Sequence, residues 1–237
     1  MAHNSIEYKD IILRAGISLD ENQLDLLDLY AKLLMEWNGR VNLVSRKDEA
    51  NIWPSHIIHS LSLLMKVSIP DGARIADLGS GGGLPGIPIA IALPQVSIVL
   101  IESIRKKCAA LEDMIRQLGL ANTKVLNARA EDCTGIGTHK DSFDLVLARA
   151  VAPLADLIKW SSSLVRRDRK MTINLRGNKP DSLRLPALIA MKGGPMEVET
   201  GEARRAGGFS YLKSIPIEFE GIEETGLVHK SLLIIGL

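Results

Sequence analysis

The sequence predicts an α/β fold built on a mostly parallel sheet. Three observations carry this. From Arg74 onward, short apolar runs of strand character alternate with stretches of helical spacing, the pattern of parallel strands covered by helices on both faces. The first of these strands runs directly into a glycine-rich loop, where α/β proteins turn tightly and admit a ligand. Before Gly72 the rhythm is helical only. The chain is therefore divided into a helical segment, residues 1–70, and an α/β unit, residues 71–237.

The elements follow in order. Ser18-Leu19-Asp20-Glu21 has the form of a capping box. Behind it Leu24, Leu27, Ala31 and Leu34 repeat at helical spacing, with Leu26, Tyr30, Leu33 and Trp37 alongside, giving a wide apolar face. Gly39 is the expected left-handed stop. A second helix is expected over about 54–66, with Pro54 at a first helical position. Arg74–Leu78 reads as a buried strand, then the loop, then a helix to about Leu93. Val96–Ile101 reads as strand and Arg105–Leu118 as helix. Lys124–Asn127 and Asp144–Ala148 read as strands, and Pro153–Leu164 as helix. Lys170–Leu175 is expected to be the fifth strand of the sheet. Leu212–Phe219 and Leu227–Leu237 close it as an antiparallel pair.

Composition sets outer limits. The 237 residues suffice for one α/β domain with a small appendage. With 29 basic and 28 acidic residues the formal charge is +1, so nucleic-acid affinity must come from local clusters. Two cysteines exclude a disulfide scaffold and a four-cysteine zinc site. Cys108 continues the stripe of Leu111, Ile115 and Leu118 and is assigned to the core. No cationic stretch followed by an apolar one opens the chain. The longest oily segment, Gly86–Ile101, is broken by Pro88, Pro94 and Gln95 and is shorter than the ~20 residues of a membrane helix. A cytoplasmic protein is expected.

The informative segment is Asp77-Leu78-Gly79-Ser80-Gly81-Gly82-Gly83-Leu84-Pro85-Gly86. Gly81, Gly83 and Gly86 fit the dinucleotide pattern G-x-G-x-x-G. Gly79, Gly81 and Gly83 fit the G-x-G-x-G of S-adenosylmethionine sites equally well. Glu102 ends the second strand, placed for a ribose diol in either reading. Asp77 favours the methyl donor, because a carboxylate there could attract a cationic amino-acid end. The later loops also lack a His, Tyr-x-x-x-Lys or Cys constellation suited to hydride chemistry.

Further segments extend the pattern: Val41-Asn42-Leu43-Val44-Ser45, His56-Ile57-Ile58 with Ser60-Leu61, Gly79 through Pro88, Glu102-Ser103 with Lys106-Lys107, Ala128-Arg129-Ala130-Glu131, and Ala148-Arg149-Ala150. In order and spacing they resemble the small-subunit ribosomal RNA methyltransferase G family, also called GidB, from about residue 20 to the end. The Gly-Leu-Pro-Gly-Ile-Pro loop together with the Ala-Arg-Ala strand end is the specific part. The resemblance implies a seven-stranded Rossmann-like methyltransferase core with an N-terminal helical cap. It implies methyl transfer from S-adenosylmethionine to N7 of a guanine in 16S ribosomal RNA. It also implies cofactor positions at Gly79, Leu84, Ala130, Glu131 and Arg149; Asp77, Gly81, Gly83 and Glu102 join them on the residue reading above. The implied partner is 16S ribosomal RNA or the small ribosomal subunit, with no membrane and no metal, and a monomer is expected.

The sequence departs from the family pattern in three places. His59 stands where an Asp is usual in a His-x-x-Asp-Ser segment, Leu84 where an aromatic is common, and Arg176-Gly177 in place of a Lys-Gly after the fifth strand. His56 and His59, three apart on a helix with no third ligand in sight, are read as structural or RNA-facing rather than metal-binding. No general base is expected, because guanine N7 carries an in-plane lone pair and no proton. Arg149 is a candidate positioning residue, expected at the cofactor side or against O6 or phosphate; the bland reading is a surface ion pair with Glu131 or another acid. Arg46, Lys47, Lys106, Arg176 and Lys179 are candidates for phosphate contacts, and Arg166-Arg167, Arg169-Lys170 and Arg204-Arg205 are further basic clusters. Two rival readings share the fold: a nicotinamide-dependent oxidoreductase using the same loop, and a non-catalytic RNA-binding assembly factor.

Overall fold

The computed structural model describes residues 4–133, 140–176 and 181–237. Two helices open it. Helix α1 (Ser5–Arg14) was not expected; Asn4 caps it, its side chain accepting from the Ile6 amide. Helix α2 (Glu21–Asn38) starts two residues later than expected. Asp20, not Ser18, is the cap, and Asp20 and Gln23 form the reciprocal box. Gly39 ends α2 in right-handed geometry, φ −63°, so its expected left-handed role is not realised. The chain continues through a 3-10 turn (Arg46–Asn51), a π-helical stretch (Trp53–Ile58) carrying Pro54 near its start, and helix α3 (His59–Lys66).

The α/β unit follows the predicted alternation. A seven-stranded sheet contains, in spatial order, β4 (Thr123–Asn127), β3 (Ser97–Glu102), β2 (Arg74–Leu78), β5 (Leu145–Arg149), β8 (Ala187–Gly193), β10 (Lys230–Gly236) and β9 (Tyr211–Pro216). The first five are parallel and the last two antiparallel. The closing antiparallel pair is as expected.

The fifth sheet strand is not. Thr172–Leu175 forms β6, which pairs with β1 (Val67–Ser68) and β7 (Asp181–Arg184) in a separate three-stranded sheet. The central place belongs to β8, hydrogen-bonded between β5 and β10. Its five leading residues are all buried, whereas β6 is buried only at alternate positions. A continuous apolar run marks a strand covered on both faces, and alternation marks a half-solvated one. It follows that β8 ends in Lys192-Gly193, so the Lys-Gly expected after the fifth strand is present and Arg176-Gly177 is not its substitute.

Both faces of the large sheet are covered. Ile75, Ile98, Leu145, Leu147 and Ile189 share one apolar core with α1, α2, α3, α4 (Gly86–Ala92) and α5 (Arg105–Leu118). Ala76, Leu78, Val146, Ala148 and Leu188 face the other way, as successive side chains of a strand must. There they meet α6 (Leu154–Ser162) and Ala203 of α7 (Glu197–Ala206). Cys108 is buried, as assigned. Among the described residues no helix is long and apolar enough to cross a membrane.

Candidate functional site

The carboxyl ends of β2, β3, β4 and β5 lie side by side, and the loops leaving them build the site. The loop after β2 is held from several directions. Ser80 N donates to Ile101 O at 3.1 Å, and Ser80 Oγ to Asp77 O at 2.8 Å. From the N-terminal helices, Tyr30 Oη donates to Gly82 O at 2.9 Å; Tyr30 is fully buried, and burial drives its phenol well up from the usual range. Leu34 lies so close that a Cβ on Gly82 would sit 2.8 Å from its methyl. Gly79 has φ +64°, and a Cβ there would meet Val151 at 2.8 Å.

Asp77 is completely buried beneath this loop. Its Oδ2 accepts from the Gly86 amide at 3.0 Å, the first amide of α4. Oδ1 has no partner among the described residues. Burial pushes the carboxyl up to about 7, while the Gly86 amide, Ser80 and Arg149 pull it down. The next amide, Ile87 N, donates to Gly83 O. The helix start is therefore not a row of open donors. An acidic group occupies the place where a dinucleotide's pyrophosphate would need bare amides.

In front of the loop is a cleft lined by Gly79, Glu102, Ser103, Ala130 and Glu131, with Ile101, Val151 and Trp160 as apolar walls. Glu102 is nearly buried. Its carboxylate accepts from Gly81 N at 3.0 Å and Ile104 N at 2.8 Å. Asn127 Nδ2 ties the ends of β3 and β4 by donating to Glu102 O and Ser103 O, each at 3.0 Å. Four predicted residues thus share one cleft, and Gly81 reaches it through Glu102. Gly83 and Leu84 are buried behind the loop. The cleft suits an adenosyl group: a fixed carboxylate for hydroxyls and flat apolar walls for a ring, with the buried Asp77 carboxyl, whose Oδ1 has no partner among the described residues, behind the loop.

Arg149, the last residue of β5, turns away from this cleft. Its guanidinium donates to the carbonyls of Ser55 and His56, both at 3.2 Å, and to His56 Nδ1. Glu131 instead lies 3.7 Å from Arg129, so the Arg149–Glu131 pair is not formed. Accepting at Nδ1 leaves the His56 proton on Nε2, which is 3.7 Å from Asp48 Oδ2. Burial, then Arg149, pushes the His56 ring down to about 4. Arg149 lines a second cavity of about 350 Å³ with Asp48, His56, His59, Ala150, Lys192 and Lys230. Lys192 Nζ is engaged there by Ala152 O and Glu199.

The basic candidates scatter. Arg46 and Lys47 are exposed next to Asp48, and Lys106 is exposed at the start of α5, beyond the Glu102 strand end. Arg176 donates to Gly16 O at 2.7 Å, away from both cavities. Lys179 lies outside the described residues. Arg166 grips Asp144 through two hydrogen bonds of 2.8 and 2.7 Å. Asp144 precedes β5, so this cluster sits at the strands' amino edge, opposite the cleft. Tyr30, Trp160, Asp48 and Lys230 were not found from sequence. Among the described residues no group of three or more His, Cys, Asp and Glu is placed to hold a metal ion.

The sheet order, the glycine loop and the strand-end acid define a Rossmann-like methyltransferase fold. A SAM dependent methyltransferase from Aquifex aeolicus superposes with a TM-score of 0.53, covering 81% of this chain and 96% of its own at 11% identity, a likeness of fold. The sequence relation is much closer. The profile of GidB, rRNA small subunit methyltransferase G, matches residues 23–183. The Ribosomal RNA small subunit methyltransferase G of Chlorobaculum tepidum is 41% identical over 188 residues, covering 79% of this chain and 76% of its own. That of Chlorobium luteolum is 39% identical over 192 residues, covering 81% and 71%. This chain belongs to the rRNA small subunit methyltransferase G family.

Proposed function

We infer that this chain transfers the methyl group of S-adenosylmethionine to N7 of a guanine in 16S ribosomal RNA. The observation that carries the choice of cofactor is the buried Asp77 of β2, which accepts from the first amide of α4, behind a cleft that offers Glu102 and apolar walls. A pyrophosphate would meet that acid unfavourably, which speaks against the nicotinamide reading. Family membership supports the RNA substrate and speaks against a non-catalytic role.

In this reading Glu102 binds the ribose hydroxyls, Ala130 and Glu131 flank the adenine, and Gly79, Gly81, Gly83 and Leu84 shape the loop. Asp77 draws the cationic amino-acid end. Bound S-adenosylmethionine supplies an electrophilic methyl carbon on a sulfonium sulfur. The chain's own contribution is alignment, because N7 needs no deprotonation; positioning can supply ~7–11 kcal/mol. Arginine usually reads guanine through O6 and N7 together. With Arg149 already donating to Ser55 and His56, that lone pair is left to attack. Arg149 then acts by holding Ser55 and His56 of the π-helical stretch at the second cavity. Residues 1–70 serve as the cap and 71–237 as the transferase core. Arg46, Lys47 and Lys106 contact phosphates, with Arg176 at the periphery. The protein works as a monomer, in the cytoplasm with its ribosomal substrate.

Thermal unfolding with S-adenosylhomocysteine against NADH tests the cofactor assignment. A ligand at a hundred times its dissociation constant adds ~2.7 kcal/mol, or roughly 5–10 °C for a chain of this size. The expected result is a shift of that order with S-adenosylhomocysteine and none with NADH. The reverse result would return the oxidoreductase reading.

A further inference from the structure

Of the expected cofactor positions the second cavity holds only Arg149, whose guanidinium is engaged by Ser55 and His56. The cavity is separated from the cleft by one stretch of backbone, the turn after β5. Ala150 lines the cavity and Val151 lines the cleft. Ala150 has φ +55°, a conformation that side-chain-bearing residues rarely adopt and that concentrates at functional sites. Here it sends neighbouring residues to opposite sides of a thin wall. A group seated in the cavity is thereby next to whatever the cleft holds.

The lining is chemically mixed in a way that suits one base. Asp48 offers a half-exposed carboxylate. His59 is 94% buried, the complement of its 6% exposure, and its Nε2 has no hydrogen-bond partner among the described residues. Arg149 is occupied by Ser55 and His56. The space of about 350 Å³ is that of roughly twelve waters, enough for a purine.

We propose that this cavity receives the acceptor base, and that Asp48 and His59 read the Watson–Crick edge of guanine. The proposal rests on the transferase reading above. The Asp48 carboxylate accepts from N1–H and the exocyclic amino group, and His59, with its proton on Nε2, donates to O6. Adenine presents a lone pair at N1, which the carboxylate repels, so the same pair of residues excludes it. Held by this edge, guanine keeps N7 free and turned toward the Ala150 wall. A flipped-out base is held in this manner by enzymes that act on single nucleotides.

The test is a cycle between protein and RNA. The methylated guanine is mapped first, and 16S RNA carrying inosine at that position, which lacks the exocyclic amino group, is assembled by ligation. For the wild-type chain, inosine is expected to lower kcat/KM about tenfold, the scale of one lost base contact. Asp48→Asn is expected to lose about tenfold on guanine and to treat guanine and inosine alike, with S-adenosylhomocysteine affinity unchanged within about twofold. His59→Leu keeps bulk without a donor and is expected to cost a similar factor, part of which His59→Gln restores. Asp48→Asn that discriminates against inosine as the wild type does, or that also loses the nucleoside, overturns the proposal while leaving the transferase reading intact. A wild-type chain that methylates no small-subunit RNA overturns both.

Discussion

At His56 the ring is buried against a guanidinium, and both influences oppose its charging. Its pKa falls from 6.5 to about 4, so the folded state holds it neutral where the unfolded chain begins to take up a proton. The stability that neutrality supports is complete above pH 6.5 and is lost as pH falls toward 4. Asp77 acts in the opposite sense: its raised pKa means that the fold is relieved, not burdened, as pH falls below about 7. His59, Arg149 and Asp48 surround the ring and add their own dependence. A comparison isolates the His56 contribution. In urea unfolding, the stability gap between His56→Asn and the wild type is expected to narrow by about 2 kcal/mol between pH 7 and pH 5. A gap that stays constant would mean that the ring is not held neutral. Gly79 and Glu102 were legible at this scale because they stand at strand ends recognisable from local pattern, whereas Ala130 and Glu131, in the 3-10 turn after β4, were implied by the family resemblance. Tyr30 and the Ser55–His56 partners of Arg149 were not legible, since those contacts join residues 52 and 94 positions apart or nearly so.

The elements show where local pattern suffices and where it misleads. Helix α5 has the bounds that its apolar stripe predicts. Helix α7 buries only Ala203 and carries no stripe to find. The exchange of β6 for β8 has a readable cause. Both runs have strand character, but Leu188–Met191 is apolar at every position while Met171, Ile173 and Leu175 alternate with polar residues, and that difference separates a strand covered on both faces from a half-solvated one. The loop after β2 permits a sharper prediction. Gly72 and Gly79 have almost the same backbone, φ +70° and +64°, but a Cβ meets nothing within 4 Å at Gly72 and Val151 at 2.8 Å at Gly79. Gly72→Ala is expected to cost about 1–2 kcal/mol, the left-handed penalty alone. Gly79→Ala is expected to cost more in the same urea titration and to weaken S-adenosylhomocysteine binding at least about tenfold, because Val151 forms the cleft wall. Equal costs with unchanged binding would show that the loop has room to relax.

For the whole molecule, the sheet places two cavities at one edge with the β5 turn between them; the N-terminal segment meets the glycine loop through Tyr30 and Leu34 and lines the second cavity through Asp48, Ser55, His56 and His59. The architecture and the family were legible in the sequence because the glycine loop, the strand ends and their spacing lie in order along the chain. The second cavity was not, since it is assembled from residues between Asp48 and Lys230. The basic clusters also needed the fold: Arg166 proved to be fixed at the far edge by Asp144, leaving Arg46, Lys47 and Lys106 on the side of the site. The central claim is methylation of guanine at N7, and that modification renders an RNA strand cleavable by borohydride reduction followed by aniline. Small ribosomal subunits or 16S RNA, incubated with the chain and S-adenosylmethionine and then treated so, are expected to break at a single guanine. Methyl incorporation without scission, or scission that does not depend on S-adenosylmethionine, would contradict the account.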